Sequence, residues 1–179
     1  EEAAAGVATY TSSPAAVPDG KFYAWCGGTY TYRVAQRIVV DQDLTIKSLR
    51  AITSKLDGAT FNVKVVNSSN HTDVTEVGPF SKSGTPGSAS WEQEYFDFDV
   101  NIALTPGSYF VVLEPAAGSE TSYGVINAHN EESKESGVYT LYAGAHQASS
   151  TVTYSESDMG AAYGPFLNWV IETGANASC

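Results

Sequence analysis

Trp91-Glu-Gln-Glu-Tyr-Phe-Asp-Phe-Asp-Val-Asn-Ile-Ala-Leu-Thr-Pro-Gly-Ser-Tyr-Phe-Val-Val-Leu-Glu-Pro115 decides the fold class. Phe96, Phe98 and Val100 share one parity while Asp97 and Asp99 share the other, the alternation of a strand with one wet face. Thr105-Pro106-Gly107-Ser108 then turns the chain, because proline presets φ and glycine accepts positive φ. Tyr109 to Leu113 is apolar on both parities, which predicts a mid-sheet strand covered on both faces. The two runs are expected to form a β-hairpin or Greek-key arm at the centre of an all-β sandwich.

Working outward, the same pattern recurs. Tyr30, Tyr32, Val34, Ile38 and Val40 fall on one parity, with Thr29, Thr31, Arg33 and Arg37 on the other. Asp41-Gln42-Asp43 turns this strand. In the next one the apolar phase slips, from Leu44 and Ile46 to Leu49 and Ala51, which predicts a bulge near Lys47-Ser48. Asp57-Gly58 reads as a hairpin turn. Phe61, Val63 and Val65 then alternate with Asn62 and Lys64, and residues 67–72 form a polar tip. Further strands are expected at 22–26, 74–77, 123–126, 138–142, 151–154 and 166–172, the last with Leu167, Trp169 and Ile171 on one face. Residues 155–165 read as irregular. About nine or ten short strands with regular turn signals, and no convincing helical stripe, predict an antiparallel β-sandwich or jelly roll.

Size and charge set bounds. At 179 residues the chain suits one domain, able to bury roughly two-thirds of its unfolded surface. We expect an N-terminal arm at residues 1–20, rich in Ala, Ser and Pro, and a single sandwich domain at 21–179. A net charge of −11 argues against nucleic acid, whose phosphates such a surface repels, and against anionic lipid heads. No apolar run is long enough for a membrane-spanning helix. The chain begins Glu1-Glu2 without Met and reads as a processed product.

Cys26 and Cys179 are the two cysteines. A disulfide joining the first and last strands is the preferred reading, and it implies an oxidising compartment. Two inert thiols, or a bond from Cys179 to a neighbouring copy, are the alternatives. Asn67-Ser-Ser, Asn70-His-Thr and Asn176-Ala-Ser are glycosylation sequons, which agree with a secreted location. In a cell without the machinery they would be bare.

Reactive chemistry finds little support. His71, His129 and His146 fall in expected polar loops, without close His pairs for a metal and without a nucleophile elbow. Glu92/Glu94 and Asp97/Asp99 could be imagined as glycosidase carboxylates, but each pair fits the wet side of a strand better. No cofactor is expected. Structural calcium at Asp41 with Asp43, or at Asp57, is secondary to turn-capping by these side chains.

In the order of these features the chain resembles the jelly-roll-like modules of secreted and cell-surface microbial proteins. The resemblance runs from the early aromatic/Gly segment through the 91–100 strand and the Leu104-to-Leu113 turn and strand to the 167–171 strand. It implies a glycan-binding or a structural, adhesive role, and it carries over no site residues.

Two roles follow as expectations. The first is an extracellular structural subunit of a surface filament or layer, whose arm Val7-Ala8-Thr9-Tyr10-Thr11 pairs with a sheet of itself or of a neighbouring copy. The second is a carbohydrate-binding module, with Trp91 and Tyr95 as the aromatic platform. Partners are accordingly expected to be the protein itself or glycans, and the protein is expected not to be an enzyme.

Overall fold

The computed structural model describes residues 8–11, 22–25, 33–52, 60–81, 95–116, 125–129, 132–148, 155–156, 163–164 and 166–174. Every regular element among them is a strand. These are β1 (Ala8–Thr11), β2 (Phe22–Trp25), β3 (Arg33–Val40), β4 (Leu44–Ile52) and β5 (Thr60–Asn67). They continue with β6 (Asp73–Ser81), β7 (Tyr95–Leu104), β8 (Gly107–Pro115), β9 (Val125–His129) and β10 (Ser133–Glu135). The last are β11 (Tyr139–Ala148), β12 (Ser155–Glu156), β13 (Tyr163–Gly164) and β14 (Leu167–Thr173). No helix among the described residues is long and apolar enough to cross a membrane.

Two antiparallel sheets share one core in a sandwich-like arrangement. One runs β1-β14-β4-β7, the other β10-β11-β3-β8-β5-β6 with β12 beside β11. A small third sheet runs β13-β9-β2. Ile46, Leu49, Phe98, Ile102, Trp169 and Ile171 from the first sheet pack with Ile38, Phe61, Val63, Val111, Leu113 and Leu141 from the second. The parity readings of β3, β5, β7 and β14 all follow from this packing, since each has one face in the shared core. β8 sits between β3 and β5 and is buried from Tyr109 to Leu113. Its second face joins Phe110 and Val112 to Ala35 and Val66 in a separate apolar cluster.

Of the two arrangements expected for the 91–115 stretch, the hairpin needs correction. β7 and β8 do not form a hairpin: β7 pairs with β4, whereas β8 pairs with β3 and β5. Residues 105–106 therefore carry the chain from one layer to the other. Here the Tyr109 hydroxyl donates to the Thr105 carbonyl at 2.8 Å. A Cβ on Gly107 would meet that hydroxyl at 3.0 Å, so the folded-back ring accounts for glycine at this position. Asp57-Gly58 lies outside the described residues; the described strands on either side of it, β4 and β5, belong to different sheets. The same short β-turn chemistry serves a layer crossing as well as a hairpin.

The bulge expected near Lys47-Ser48 is present. Ile46 and Ser48 face the consecutive Ile171 and Val170, so Lys47 is the extra residue against β14. On its other side β4 meets a bulge in β7, where Asn101 takes a φ of 48°, and β14 has its own at Asn168, with φ 42°. Asparagine tolerates this left-handed region better than other side chains with a Cβ. Lys64 and Asp73 form an ion pair across the β5–β6 hairpin at 3.2 Å.

Candidate functional site

The arm expected at the N-terminus is ordered over Ala8–Thr11 and lies antiparallel on the outer edge of β14 in the chain's own sheet. Val7 lies outside the described residues. The register places Ala8, Thr9, Tyr10 and Thr11 opposite Thr173, Glu172, Ile171 and Val170. Ala8 and Tyr10 are half-buried while Thr9 and Thr11 face solvent. Tyr10 packs against the core and meets Tyr139 edge-on, with ring centroids 6.2 Å apart. This pair closes the gap between the two sheets along one rim.

The opposite rim is sealed differently. Phe61, Phe80, Phe96 and Phe98 form a ring cluster between β5, β6 and β7, with Phe80 and Phe98 at 4.9 Å. The strands that border it are poor templates for pairing. A bulge puts Gly78 and Pro79 of β6 opposite Asn62, and a proline in an edge strand offers no N–H. Gly78 has a φ of 129°, and a Cβ there would stand 2.6 Å from Asn62 Oδ1. β7 carries the Asn101 bulge and the exposed Asp97 and Asp99. On the rim closed by Tyr10, by contrast, the β14 edge is covered by the four-residue β1.

The layer beneath this edge is held by a residue that parity reading passes over. Gln36 of β3 has no exposed surface, yet it is polar. Its Nε2 donates to the Tyr142 carbonyl at 3.1 Å, and its Oε1 accepts from the Phe166 N–H at 3.3 Å. β11 shifts register between Leu141 and Ala145, which frees that carbonyl, and Phe166 leads into β14. One amide thus ties the bulge of one sheet to the start of the strand that receives the arm.

Tyr139, at 1% exposure, belongs to the core. Burial pushes its hydroxyl above the usual phenol range. A hydrogen bond shared with Ser133 Oγ at 3.3 Å opposes this, while Glu135 and Tyr10 add to it. Because the folded chain holds this proton more tightly than the unfolded chain, the stabilisation is present below the ordinary phenol pKa of about 10 and fades as pH rises through the folded value. Urea midpoints measured from about pH 8 to about pH 11 should therefore fall less steeply in Tyr139→Phe than in the wild type. An unchanged alkaline slope would contradict this placement of the hydroxyl.

The remaining site expectations divide as follows. Asn67 and Asn70 stand at the β5–β6 tip, as expected. Cys26, Cys179, Asn176 and Trp91 lie outside the described residues, and Tyr95 is described only as the first backbone position of β7. Asp97 does lie on the wet face, where it takes a two-pronged contact from Arg50 at 2.7 and 3.0 Å across the β4–β7 ladder. Asp97 is largely exposed, so this pair adds little stability. Asp41 and Asp43 are exposed in the turn between β3 and β4.

No protein-family profile, curated protein or solved structure matches this chain.

Proposed function

We propose that the chain is an extracellular structural subunit that associates with copies of itself by strand addition, the arm of one copy taking the place on β14 that β1 takes here. The observation that carries this reading is the docking of a short terminal strand on a sheet edge whose ladder it alone covers from outside. Residues 12–21 separate β1 from β2, which belongs to a different sheet. A link of that length spans up to about 33–36 Å when extended, so the arm can leave its own sheet without disturbing β2. Exchange replaces each contact by an identical one, so concentration and reach decide between closed monomer and open chain.

We read the sandwich as jelly-roll-like, in that the links at 41–43, 53–59, 82–94 and 105–106 each carry the chain between its two layers. Export is supported by the sequons and by the two cysteines at widely separated positions. Catalysis forms no part of this reading.

Removal of residues 1–13 is expected to leave a folded chain that stays monomeric at concentrations where the full chain forms multimers. The truncation should cost about 1–2 kcal/mol, Tyr10 being half-buried. Sedimentation velocity of the two forms checks this. Multimers of equal size from the truncated chain would refute strand addition through the arm.

A further inference from the structure

We infer that the β5–β6 tip is a built N-glycan acceptor, and that Asn70, rather than the neighbouring Asn67, carries the sugar. The sequence marks both as sequons, which is a weak signal for either. The folded tip distinguishes them. Asn70 Oδ1 accepts from the Thr72 N–H at 3.1 Å and from Thr72 Oγ1 at 2.8 Å. A backbone N–H can only donate, so the acceptor is the amide oxygen, and the Nδ2 that forms a glycosidic bond is turned away from these contacts. Asn70 is exposed.

Asn67 makes the same pattern with Ser69, through the N–H at 3.0 Å and Oγ at 2.7 Å. Its backbone, however, closes the hairpin. Its N–H donates to the Thr72 carbonyl at 2.9 Å, and its carbonyl accepts from the His71 N–H at 2.8 Å. The next residue is pinned too: Ser68 N–H donates to the Ser108 carbonyl at 3.0 Å, and Ser68 Oγ bonds Ser108 Oγ at 2.7 Å. Asn67 is half-buried at the base of the tip, with the sheet beside it. A transferase can approach Asn70 from solvent without parting this network.

The surroundings suit a sugar. Val74, at 47% exposure, is the exposed large hydrophobic among the described residues, and it stands on β6 just beyond Thr72. The apolar face of a pyranose linked to Asn70 has this surface to cover. β5 and β6 also lie at the rim opposite the β1–β14 edge, so a glycan here leaves the arm unobstructed.

The donor class is an oligosaccharide linked through its anomeric carbon to a lipid diphosphate. The Asn70 Nδ2 attacks that carbon, the C–N bond forms as the carbon–phosphate oxygen bond breaks, and the lipid diphosphate leaves. The amide proton passes to a base of the transferase. Thr72 is a positioning residue in this reading, since its hydroxyl holds the amide oxygen.

The test is a peptide map of the full chain secreted from a host with N-glycosylation. The tryptic fragment 65–82 contains both sequons, and enzymatic release of the glycan in heavy-oxygen water marks the modified asparagine. The expected result is one mark, at Asn70, in nearly every copy. Thr72→Ala should abolish it, Thr72→Ser should retain it, and Ser69→Ala should leave it unchanged. A bare fragment, a mark at Asn67 in place of Asn70, or a mark that survives Thr72→Ala would overturn the inference. None of these outcomes depends on whether the chain self-associates.

Discussion

Replacing Trp169 with alanine is expected to remove about 3–5 kcal/mol of folding stability. Trp169 has no exposed surface and heads the fully buried side chains in volume. It packs edge-on against Phe166 with centroids 5.7 Å apart, on the strand that β1 and β4 flank. The alanine variant loses the transfer energy of the indole and leaves a void that neighbours in two packed sheets can fill only in part. Against a typical total of about 5–15 kcal/mol this is a large share. For a chain of this size it corresponds to a fall in melting temperature of roughly 6–20 °C. Urea denaturation of the variant beside Val74→Ala gives the scale. Val74 is 47% exposed, so its replacement should stay within about 0.5 kcal/mol. A loss below about 1 kcal/mol for Trp169→Ala would contradict its placement at the centre of the core.

How much of this was legible in the sequence depended on whether the signal was local. Leu167, Trp169 and Ile171 share a parity because β14 has one face in the core, and parity is a property of the strand itself. The unbroken apolar run of β8 likewise announced a strand covered on both sides. The phase slip at Lys47-Ser48 revealed the bulge because a single extra residue changes which side chains face inward.

The links were harder to read. Thr105-Pro-Gly-Ser reverses the chain by local dihedral preferences, but whether the next strand pairs with the last or with the opposite sheet depends on distant partners. The pairing of Ala8–Thr11 with β14 joins the two ends of the chain, and no local pattern could specify it. Gln36 was invisible as a tie because its value lies in two partners far along the chain, Tyr142 and Phe166. At the β5–β6 tip the sequons were plain, while the exposure that separates Asn70 from Asn67 came only with the hairpin's folding.

The second large effect concerns the exchange of the arm between copies. Thr9 and Glu172 are directly opposite in the β1–β14 ladder, so cysteines at these two positions can reach one another only when an arm lies on a β14 edge. Placing Thr9→Cys in one chain and Glu172→Cys in another, of different tagged length, makes the bond report on exchange. A closed monomer joins nothing between the two chains, because neither carries both substitutions. Chains that swap arms join the tagged to the untagged copy, and a tagged chain without substitution controls for Cys26 and Cys179.

The most direct measurement is therefore a denaturing, non-reducing gel of the two substituted chains after they have been mixed under native conditions and oxidised. Strand addition through the arm predicts a reducible band at the summed mass of the tagged and untagged chains, absent from the control. No such band, together with efficient closure of a single chain carrying both Thr9→Cys and Glu172→Cys, would show that the arm stays on its own sheet and that copies do not join through it.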